Sequence, residues 1–204
     1  MCKHFGMLEM YMGHQKTFQK ISVDPIREPK CIEAILGLLK DKPRDLLLFT
    51  LGINNGLRTC DLLRLKVGQL RNLKPGDTIK IKESKTGKTN VLAVNKKSHR
   101  ALQQYLNQVE PGDDDWLFPS QKGGHPLQTQ RVRAIIKQLT GAIELKGNFG
   151  AHTLRKTFGY MQRTVYRVSF EVLCKRYNHS SPAVTMRYLG IEDKEVKEIL
   201  MNEI

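Results

Sequence analysis

In the stretch TIKIKESKTGKTNVLAV, residues 78–94, the spacing of apolar residues changes from a period of about 3.6 to a period of about two. Two runs of this kind, TIKIKES (78–84) and TNVLAV (89–94), flank the turn-forming pair Thr86-Gly87, which is the pattern of a β-hairpin. The turn places Lys85 at its edge. The sequence therefore predicts a small antiparallel sheet here.

Helical patterns occupy the chain on both sides of this hairpin. Before it, one helix should begin at Pro29, a second should run from Pro43 to a stop at Asn54-Asn55-Gly56, and a short third should run from Thr59 through Leu65. After it, an amphipathic helix should end at Glu110-Pro111-Gly112, and these segments should also be helical: 128–140, 151–166, 169–177, 181–189 and 192–203. The predicted fold class is mainly α (α+β).

The charge balance points to a polyanionic partner. Lys and Arg total 34 against 20 Asp and Glu, a net charge of +14, which is typical of proteins that bind nucleic acid, although ribosomal and membrane-surface proteins share it. No window approaches the roughly 18 consecutive apolar residues of a membrane span. We therefore expect a cytoplasmic protein without a membrane partner.

The sequence offers no recognisable site for a cofactor. The four cysteines form no CxxC pair, and most of the histidines have no partner at metal-ligand spacing. The chain also lacks a P-loop and an acidic metal cluster. We expect no cofactor and no metal.

Two short stretches carry residues suited to binding a phosphate. In HTLR (152–155), His152 and Arg155 are three residues apart, so on a helix they lie on one face and can contact the same anion. Arg58, in GLRTCDLL (56–63), supplies a second guanidinium, and two such forks can clamp one phosphodiester from two sides. Taken alone, each residue is ordinary, since most arginines are solvated or ion-paired and most buried histidines and tyrosines are structural.

The order and spacing of these stretches, with NHSSPAVTMRY (178–188), resemble the tyrosine recombinases, or phage integrase family, over roughly residues 30–190. In that family an Arg lies in a G-x-R-x-x-D/E-L box, a Lys lies on a β-hairpin, H-x-x-R opens a later helix, and H-S-S-x-x-x-T-x-x-Y ends in a tyrosine. The matching residues here are Arg58 with Asp61, Lys85, His152 with Arg155, and His179 with Tyr188. The family has Leu-Gly where this chain has Tyr177-Asn178, and Asn tolerates the left-handed backbone that such a Gly adopts.

The resemblance implies a catalytic-core fold of the integrase type and a strand-cleavage mechanism that needs neither metal nor ATP. Tyr188 would attack the scissile phosphorus and form a 3′-phosphotyrosine, while Arg58 and Arg155 stabilise charge on the non-bridging oxygens. Lys85, preferred for its place in SKTG over Lys82 and Lys88, which flank the same turn and could also reach a phosphate, would protonate the departing 5′ oxygen. The two histidines would hydrogen-bond the phosphate or assist proton transfer, and Asp61 would orient Arg58. Further contacts to DNA are expected from Lys82, Lys88, Arg131 and Arg133.

The domain organisation expected from this resemblance is an N-terminal arm (1–28), a catalytic domain (29–190) and a C-terminal tail helix (191–204). The short format is similar to that of the fimbrial phase-variation invertases, so DNA inversion is one hypothesis beside integration and excision, and a truncated or relic form is another. We expect double-stranded DNA as partner, a tetramer on paired sites with tail exchange between protomers, and possible use of an accessory DNA-bending protein. Two alternatives remain: a catalytically silent, sequence-specific DNA-binding regulator, and a type IB topoisomerase-like enzyme.

Overall fold

The computed structural model describes residues 22–121, 123–191, 200, 201 and 203. Within them the chain forms eight α-helices, a 3₁₀ turn at Val67–Gln69 and a two-stranded sheet. The elements are α1 (Pro29–Leu38), α2 (Pro43–Asn55), α3 (Thr59–Leu62), β1 (Thr78–Lys82), β2 (Thr89–Ala93), α4 (Lys96–Val109), α5 (Thr129–Ala142), α6 (Ala151–Thr164), α7 (Phe170–Tyr177) and α8 (Pro182–Leu189). The predicted fold class, mainly helical with a small antiparallel sheet, is confirmed.

The helix boundaries follow the start and stop residues of the sequence. Pro29 and Pro43 occupy the first turns of α1 and α2, where a missing backbone N–H leaves no helical hydrogen bond unmade. Gly56 ends α2 in the left-handed conformation, with φ 59°, and Glu110 ends α4 with φ 49°. The predicted helices in the described region are confirmed to within two residues at each end, except for α3.

The third helix is shorter than predicted. It ends at Leu62 and not at Leu65, because the chain that follows enters an extended pairing. The N–H of Leu117 donates to the carbonyl oxygen of Leu65 at 2.9 Å, and the backbones of Lys66 and Trp116 pair as an isolated antiparallel β-bridge. Most of the predicted tail helix (192–203) and most of the predicted N-terminal arm lie outside the described residues.

The hairpin pairs β1 with β2 from Thr78 opposite Ala93 to Lys82 opposite Thr89. Its inner face carries half-buried Ile79 and Ile81 on β1 and the buried Leu92 on β2. Because side chains alternate across a strand, the next residue on that inner face is Glu83, just beyond the end of β1.

The apolar core is divided into two clusters that share α6. The larger cluster surrounds α2 and includes Leu154 of α6, which packs so closely on Gly52 that a Cβ there would lie 2.7 Å from Leu154 Cδ1. The smaller cluster lies around α7 and α8. Its buried members are Phe158, Tyr160, Phe170, Leu173, Tyr177, Leu189 and Ile191. Among the described residues, no helix combines the length and the apolar character needed to cross a bilayer.

Candidate active site

Arg58 and the start of α6 are held together by the fold of the chain between them. Arg58 is the N-cap residue of α3, directly after the turn at Gly56 and Leu57. The next residue, Thr59, donates from its hydroxyl to the carbonyl oxygen of Ala151 at 2.9 Å. Ala151 is the first residue of α6, so this bond brings Arg58 to the helix that carries His152 and Arg155.

Arg155 is buried, with 2% of its surface exposed, and it joins two helix ends. Its Nη1 donates to the carbonyl oxygen of Gly56 at 2.7 Å, and its Nη2 donates to that of Tyr177 at 2.9 Å. The guanidinium carbon lies 4.4 Å from the centroid of the Tyr177 ring. A guanidinium has five N–H donors, so after these two bonds it retains donors for a ligand.

Arg58 forms an ion pair with Glu83, a residue that the sequence analysis did not select. Arg58 Nη1 lies 2.5 Å from Glu83 Oε2, and the two side chains are 14% and 1% exposed. Burial alone raises the pKa of the Glu83 carboxyl, but hydrogen bonds from Thr86, Asn90, Arg58 and Asn178 outweigh it and lower the pKa to about 2. Glu83 is therefore a carboxylate at neutral pH.

Asp61 has a different set of partners from the one expected. Its Oδ1 accepts hydrogen bonds from the backbone N–H of Ser84 at 2.8 Å and from the Ser84 hydroxyl at 2.7 Å. In the described part of the chain the ion pair of Arg58 is made with Glu83. Asp61 thus fastens α3 to the hairpin, and the guanidinium of Arg58 is oriented by Glu83 instead.

Tyr188 lies one residue before the end of α8, which begins with Ser181 as its cap and Pro182 at its first position. Its ring meets the rings of Tyr177 and His179 edge to face, with centroids 5.6 and 5.3 Å away. The hydroxyl is buried and has no hydrogen-bond partner among the described residues. Burial raises the pKa of Tyr188. The positive charge of Arg155, a contact of its guanidinium with the hydroxyl that falls short of full hydrogen-bond geometry, and the charge of Arg58 offset part of that rise.

His179 follows Asn178, which ends α7 in the left-handed conformation with φ 55°, as the sequence predicts for an Asn in this place. Its ring stacks on Tyr177, and its Nδ1 is 3.0 Å from the hydroxyl of the buried Thr185. Burial, with the charges of Arg155 and Arg58, lowers the pKa of His179 to about 4 in spite of the opposing charge of Glu83. The imidazole is therefore neutral at pH 7.

His152 is exposed at the second position of α6. Partial desolvation, followed by the positive charges of Arg155, Arg58, Lys85 and Lys156, lowers its pKa. Lys85 is exposed in the hairpin turn, and its influence on His152 places its charge at the rim of the same site.

Two further cations near the site were missed by the sequence analysis. Lys156 is 6% exposed; its Nζ donates to the Ser22 hydroxyl at 2.7 Å and lies 5.0 Å from the centroid of the Tyr188 ring. Arg176 donates to the carbonyl oxygens of Asn55 and Val91 and to the Asn90 side chain, joining α7 to α2 and the hairpin. Neither has a spacing that distinguishes it from the other basic residues of the chain.

The structure therefore brings together four of the predicted site residues, Arg58, Arg155, His179 and Tyr188, with His152 and Lys85 at the rim. The residues expected to contact DNA are exposed: Lys82 and Lys88 on the hairpin, and Arg131 and Arg133 on α5. Within the described residues no group of three or more His, Cys, Asp or Glu side chains is arranged to hold a metal ion. A cluster of fixed positive charge beside a tyrosine hydroxyl can bind a phosphate and stabilise charge that develops on it.

The chain is similar to known proteins over most of its length. Residues 28–195 match the model of the phage integrase family. The chain is 34% identical over 174 residues to the probable integrase/recombinase YoeC of Bacillus subtilis (strain 168), an alignment that covers 84% of this chain and 91% of YoeC. Two other curated relatives are longer, and the chain spans 56% and 47% of their lengths.

Solved structures show the same fold at low sequence identity. The crystal structure of XerA recombinase matches with a TM-score of 0.70 and 18% identity, covering 89% of this chain and 67% of XerA. The XerH site-specific recombinase bound to its palindromic difH substrate, in a post-cleavage complex, matches with a TM-score of 0.67 and 20% identity, covering 83% of this chain and 50% of XerH.

Proposed function

The chain belongs to the phage integrase family, and from this membership and the geometry of its site we propose that it recombines DNA at specific sites by breaking and rejoining strands through Tyr188. The observation that carries the proposal is the convergence of Tyr188 with two arginines. Burial alone would hold the Tyr188 hydroxyl protonated, and Arg155 and Arg58 are the groups whose charge acts against that. The same two guanidinium groups are suited to a phosphodiester.

Strand cleavage is a transesterification at phosphorus. The Tyr188 Oη gives its proton to a base, for which the neutral ring of His179 is suited, and forms a bond to the scissile phosphorus while the bond from phosphorus to the 5′ oxygen breaks. Arg58 and Arg155 stabilise charge on the non-bridging oxygens as it develops. Lys85 gives a proton to the departing 5′ oxygen, and attack by an incoming 5′-hydroxyl on the phosphotyrosine reverses these steps and rejoins a strand.

The two histidines act as neutral hydrogen-bonding groups in this scheme. Thr185 fixes the ring of His179 through Nδ1, which leaves the other ring nitrogen for a phosphate oxygen or for the proton of Tyr188. His152 is exposed on the face of α6 where a phosphate held by Arg155 would lie. Their lowered pKa values keep them from adding to the positive charge of the site.

We propose that the reaction needs neither a metal nor ATP. The positive charge that a metal would supply is available from Arg58, Arg155 and Lys85, and the phosphotyrosine conserves the energy of the phosphodiester bond. Activity that persists in EDTA supports this, and activity that is restored only by a divalent ion contradicts it.

We propose double-stranded DNA as the substrate, by analogy with the difH-bound XerH structure. Lys82 and Lys88 lie on the hairpin that carries Lys85, so they are suited to phosphates beside the scissile one; Arg131 and Arg133 on α5 are further candidates. The proposed assembly is a tetramer on paired sites, made from the catalytic domain 29–190 with the tail 191–204 reaching a neighbouring protomer, and an accessory DNA-bending protein is an optional partner. Deletion of 192–204 should spare cleavage at one site and weaken pairing of sites.

The deciding experiment traps the covalent intermediate. The protein is incubated in EDTA with nicked suicide duplexes that tile the DNA flanking its gene, and adducts are resolved on a denaturing gel. Tyr188→Phe should abolish the adduct, and Tyr166→Phe, at an exposed tyrosine, should leave it unchanged. Tight, salt-dependent binding without an adduct on any duplex would favour a silent regulator, and relaxation of supercoils without sequence preference would favour a topoisomerase; no feature of the site favours either.

A further inference from the structure

We propose that Glu83 is a positioning residue of the strand-transfer site, which fixes Arg58 and the turn of Lys85 relative to each other. This inference rests on the proposed function, since it assumes that Arg58 binds the scissile phosphate and Lys85 protonates the leaving oxygen. Glu83 does not contact the reacting groups in this role. It acts through the two residues that do.

The first link runs from Glu83 to Arg58. Oε2 of Glu83 is 2.5 Å from Nη1 of Arg58, and the carboxylate is 1% exposed. A buried charge pair of this kind holds one edge of the guanidinium in place, because breaking it leaves an unpaired charge away from water. The remaining N–H groups of Arg58 are then presented in a fixed direction toward a phosphate.

The second link runs from Glu83 to the hairpin turn. The same Oε2 accepts a hydrogen bond from the Thr86 hydroxyl at 2.5 Å. The backbone of Glu83 closes the turn as well, since its carbonyl oxygen accepts from Gly87 N and its N–H donates to Lys88 O, both at 2.9 Å. Lys85 lies inside this closed turn, so its backbone is tied to the carboxylate that holds Arg58.

A third set of contacts anchors the carboxylate itself. Oε1 of Glu83 accepts from the Asn90 amide at 2.8 Å, and Asn90 in turn accepts from Arg176 Nη1 at 2.6 Å. Asn178, the residue before His179, also donates to the carboxylate. Glu83 is thus a single buried group with contacts to α3, the hairpin and the loop of His179, which are the elements that must keep their relative positions during cleavage.

The test uses two substitutions that sever different links, with a matched control. Glu83→Gln removes the charge that holds Arg58 and disturbs the bond to Thr86. Thr86→Val leaves the charge of Glu83 in place and removes the hydroxyl that joins the turn to the carboxylate; the same hydroxyl also accepts a hydrogen bond from Lys88 N–H at 3.3 Å within the turn. Glu33→Gln makes the same change as Glu83→Gln at an exposed carboxylate whose ion pair with Lys97 is also exposed.

Each variant is assayed in single-turnover cleavage on the ordinary suicide duplex and on one with sulfur in place of the bridging 5′ oxygen. A thiolate leaves without needing a proton, because the pKa of a thiol, about 8.5, is far below that of an alcohol. The sulfur duplex therefore bypasses the role proposed for Lys85. Lys85→Ala serves as the marker for that role and should be restored on sulfur.

The expected results differ between the variants. Glu83→Gln should slow cleavage of the ordinary duplex by about tenfold to a hundredfold, and sulfur should restore only part of that loss, since Arg58 is still misplaced. Thr86→Val should slow it by about twofold to tenfold, the effect of losing the two hydrogen bonds of one hydroxyl within the turn, and sulfur should restore nearly all of it. For Glu33→Gln, both the affinity for the duplex and the rate of cleavage should stay within about twofold of wild type, the range expected for a surface change.

The outcomes separate failure of this inference from failure of the proposed function. Absence of any wild-type adduct, or no restoration of Lys85→Ala by sulfur, overturns the assumed mechanism. Normal cleavage by Glu83→Gln, or an equal loss on both duplexes for Thr86→Val, overturns the positioning role alone. Thermal unfolding of each variant establishes that it is folded at the assay temperature; if Glu83→Gln is not, the comparison of Thr86→Val on the two duplexes decides.

Discussion

Removal of the Tyr188 hydroxyl should abolish strand cleavage and at the same time make the protein more stable. The hydroxyl is buried and has no hydrogen-bond partner among the described residues. A buried polar group without a partner costs about 1 to 3 kcal/mol, because it loses its water and gains no bond. Tyr188→Phe keeps the ring and its contacts with Tyr177 and His179. Because Arg155 makes only a weak contact with the hydroxyl, its removal should raise the free energy of unfolding by about 1 kcal/mol, the lower end of that range.

Tyr177 provides an internal control for this prediction. It belongs to the same aromatic cluster, but its hydroxyl donates to the carbonyl oxygen of Arg155 at 2.7 Å. Tyr177→Phe removes one buried hydrogen bond and should lower the free energy of unfolding by about 1 kcal/mol. The same chemical change is thus expected to have opposite signs at two neighbouring positions.

Urea unfolding of the wild type and the two variants, at one pH and ionic strength, measures the difference. With an unchanged slope against urea concentration, the midpoints should rank Tyr188→Phe above wild type and wild type above Tyr177→Phe. In thermal unfolding, about 1 kcal/mol corresponds to about 2 to 4 °C for a chain of this size. A Tyr188→Phe variant no more stable than wild type would refute the reasoning, since its hydroxyl must then have a partner in the folded protein.

Three further outcomes are expected. The pKa of Glu83 is about 2 in the fold, below its ordinary value of 4.5. Its charge therefore stabilises the fold above about pH 4.5, and this stabilisation is lost as the pH falls through 2, so Glu83→Gln should be less stable than wild type at pH 7 by about 3 kcal/mol. An equal deficit at pH 3 in urea titrations would contradict this. The pKa of His179 is about 4 in the fold, below its ordinary value of 6.5, so the fold favours the neutral ring. The free energy of unfolding should therefore fall as the pH is lowered from 6.5 to 4. Thermal unfolding of His179→Asn should show a smaller fall over this range than wild type. In Gly159→Ala, the new Cβ would lie 2.1 Å from Tyr177 Oη. This clash should lower the free energy of unfolding in urea by about 1 to 3 kcal/mol and slow adduct formation. Stability equal to that of wild type would mean that Tyr177 can move away.

The period of the apolar residues was sufficient to predict the helices and the hairpin. Pro and Gly punctuation placed their ends, because these residues act on the local backbone whatever the rest of the chain does. The third helix ends earlier than its local pattern predicts, because its last turn is replaced by a pairing of Leu65 and Lys66 with residues about fifty positions further on. A local pattern carries no information on such a contact.

The site was predictable only as far as its residues stand in a recognisable order. Glu83 was missed because a single Glu beside a turn is most often solvated. A signal for it was nevertheless present, since Ile79, Ile81 and Glu83 alternate onto one face and the third should then be buried with them. The partner of such a buried carboxylate, here Arg58, follows only from the three-dimensional fold. Lys156 was missed for the same reason, since nothing in its neighbourhood predicts that its Nζ meets Ser22.

The division of the apolar core into two clusters separates the groups of the site into units that need not open together. Arg58 and the hairpin are built on the larger cluster, while His179 and Tyr188 are built on the smaller one around α7 and α8. Proteins open locally in such units, and a small cluster opens at a lower free energy than the main core. Amides of α7 and α8 should therefore exchange with solvent deuterium faster than those of α2. The nucleophile would then be carried by a segment that can detach and return between rounds of cleavage while Arg58 stays on the main core. Arg155, which bonds to the carbonyl oxygens of both Gly56 and Tyr177, would give up the second of these bonds each time.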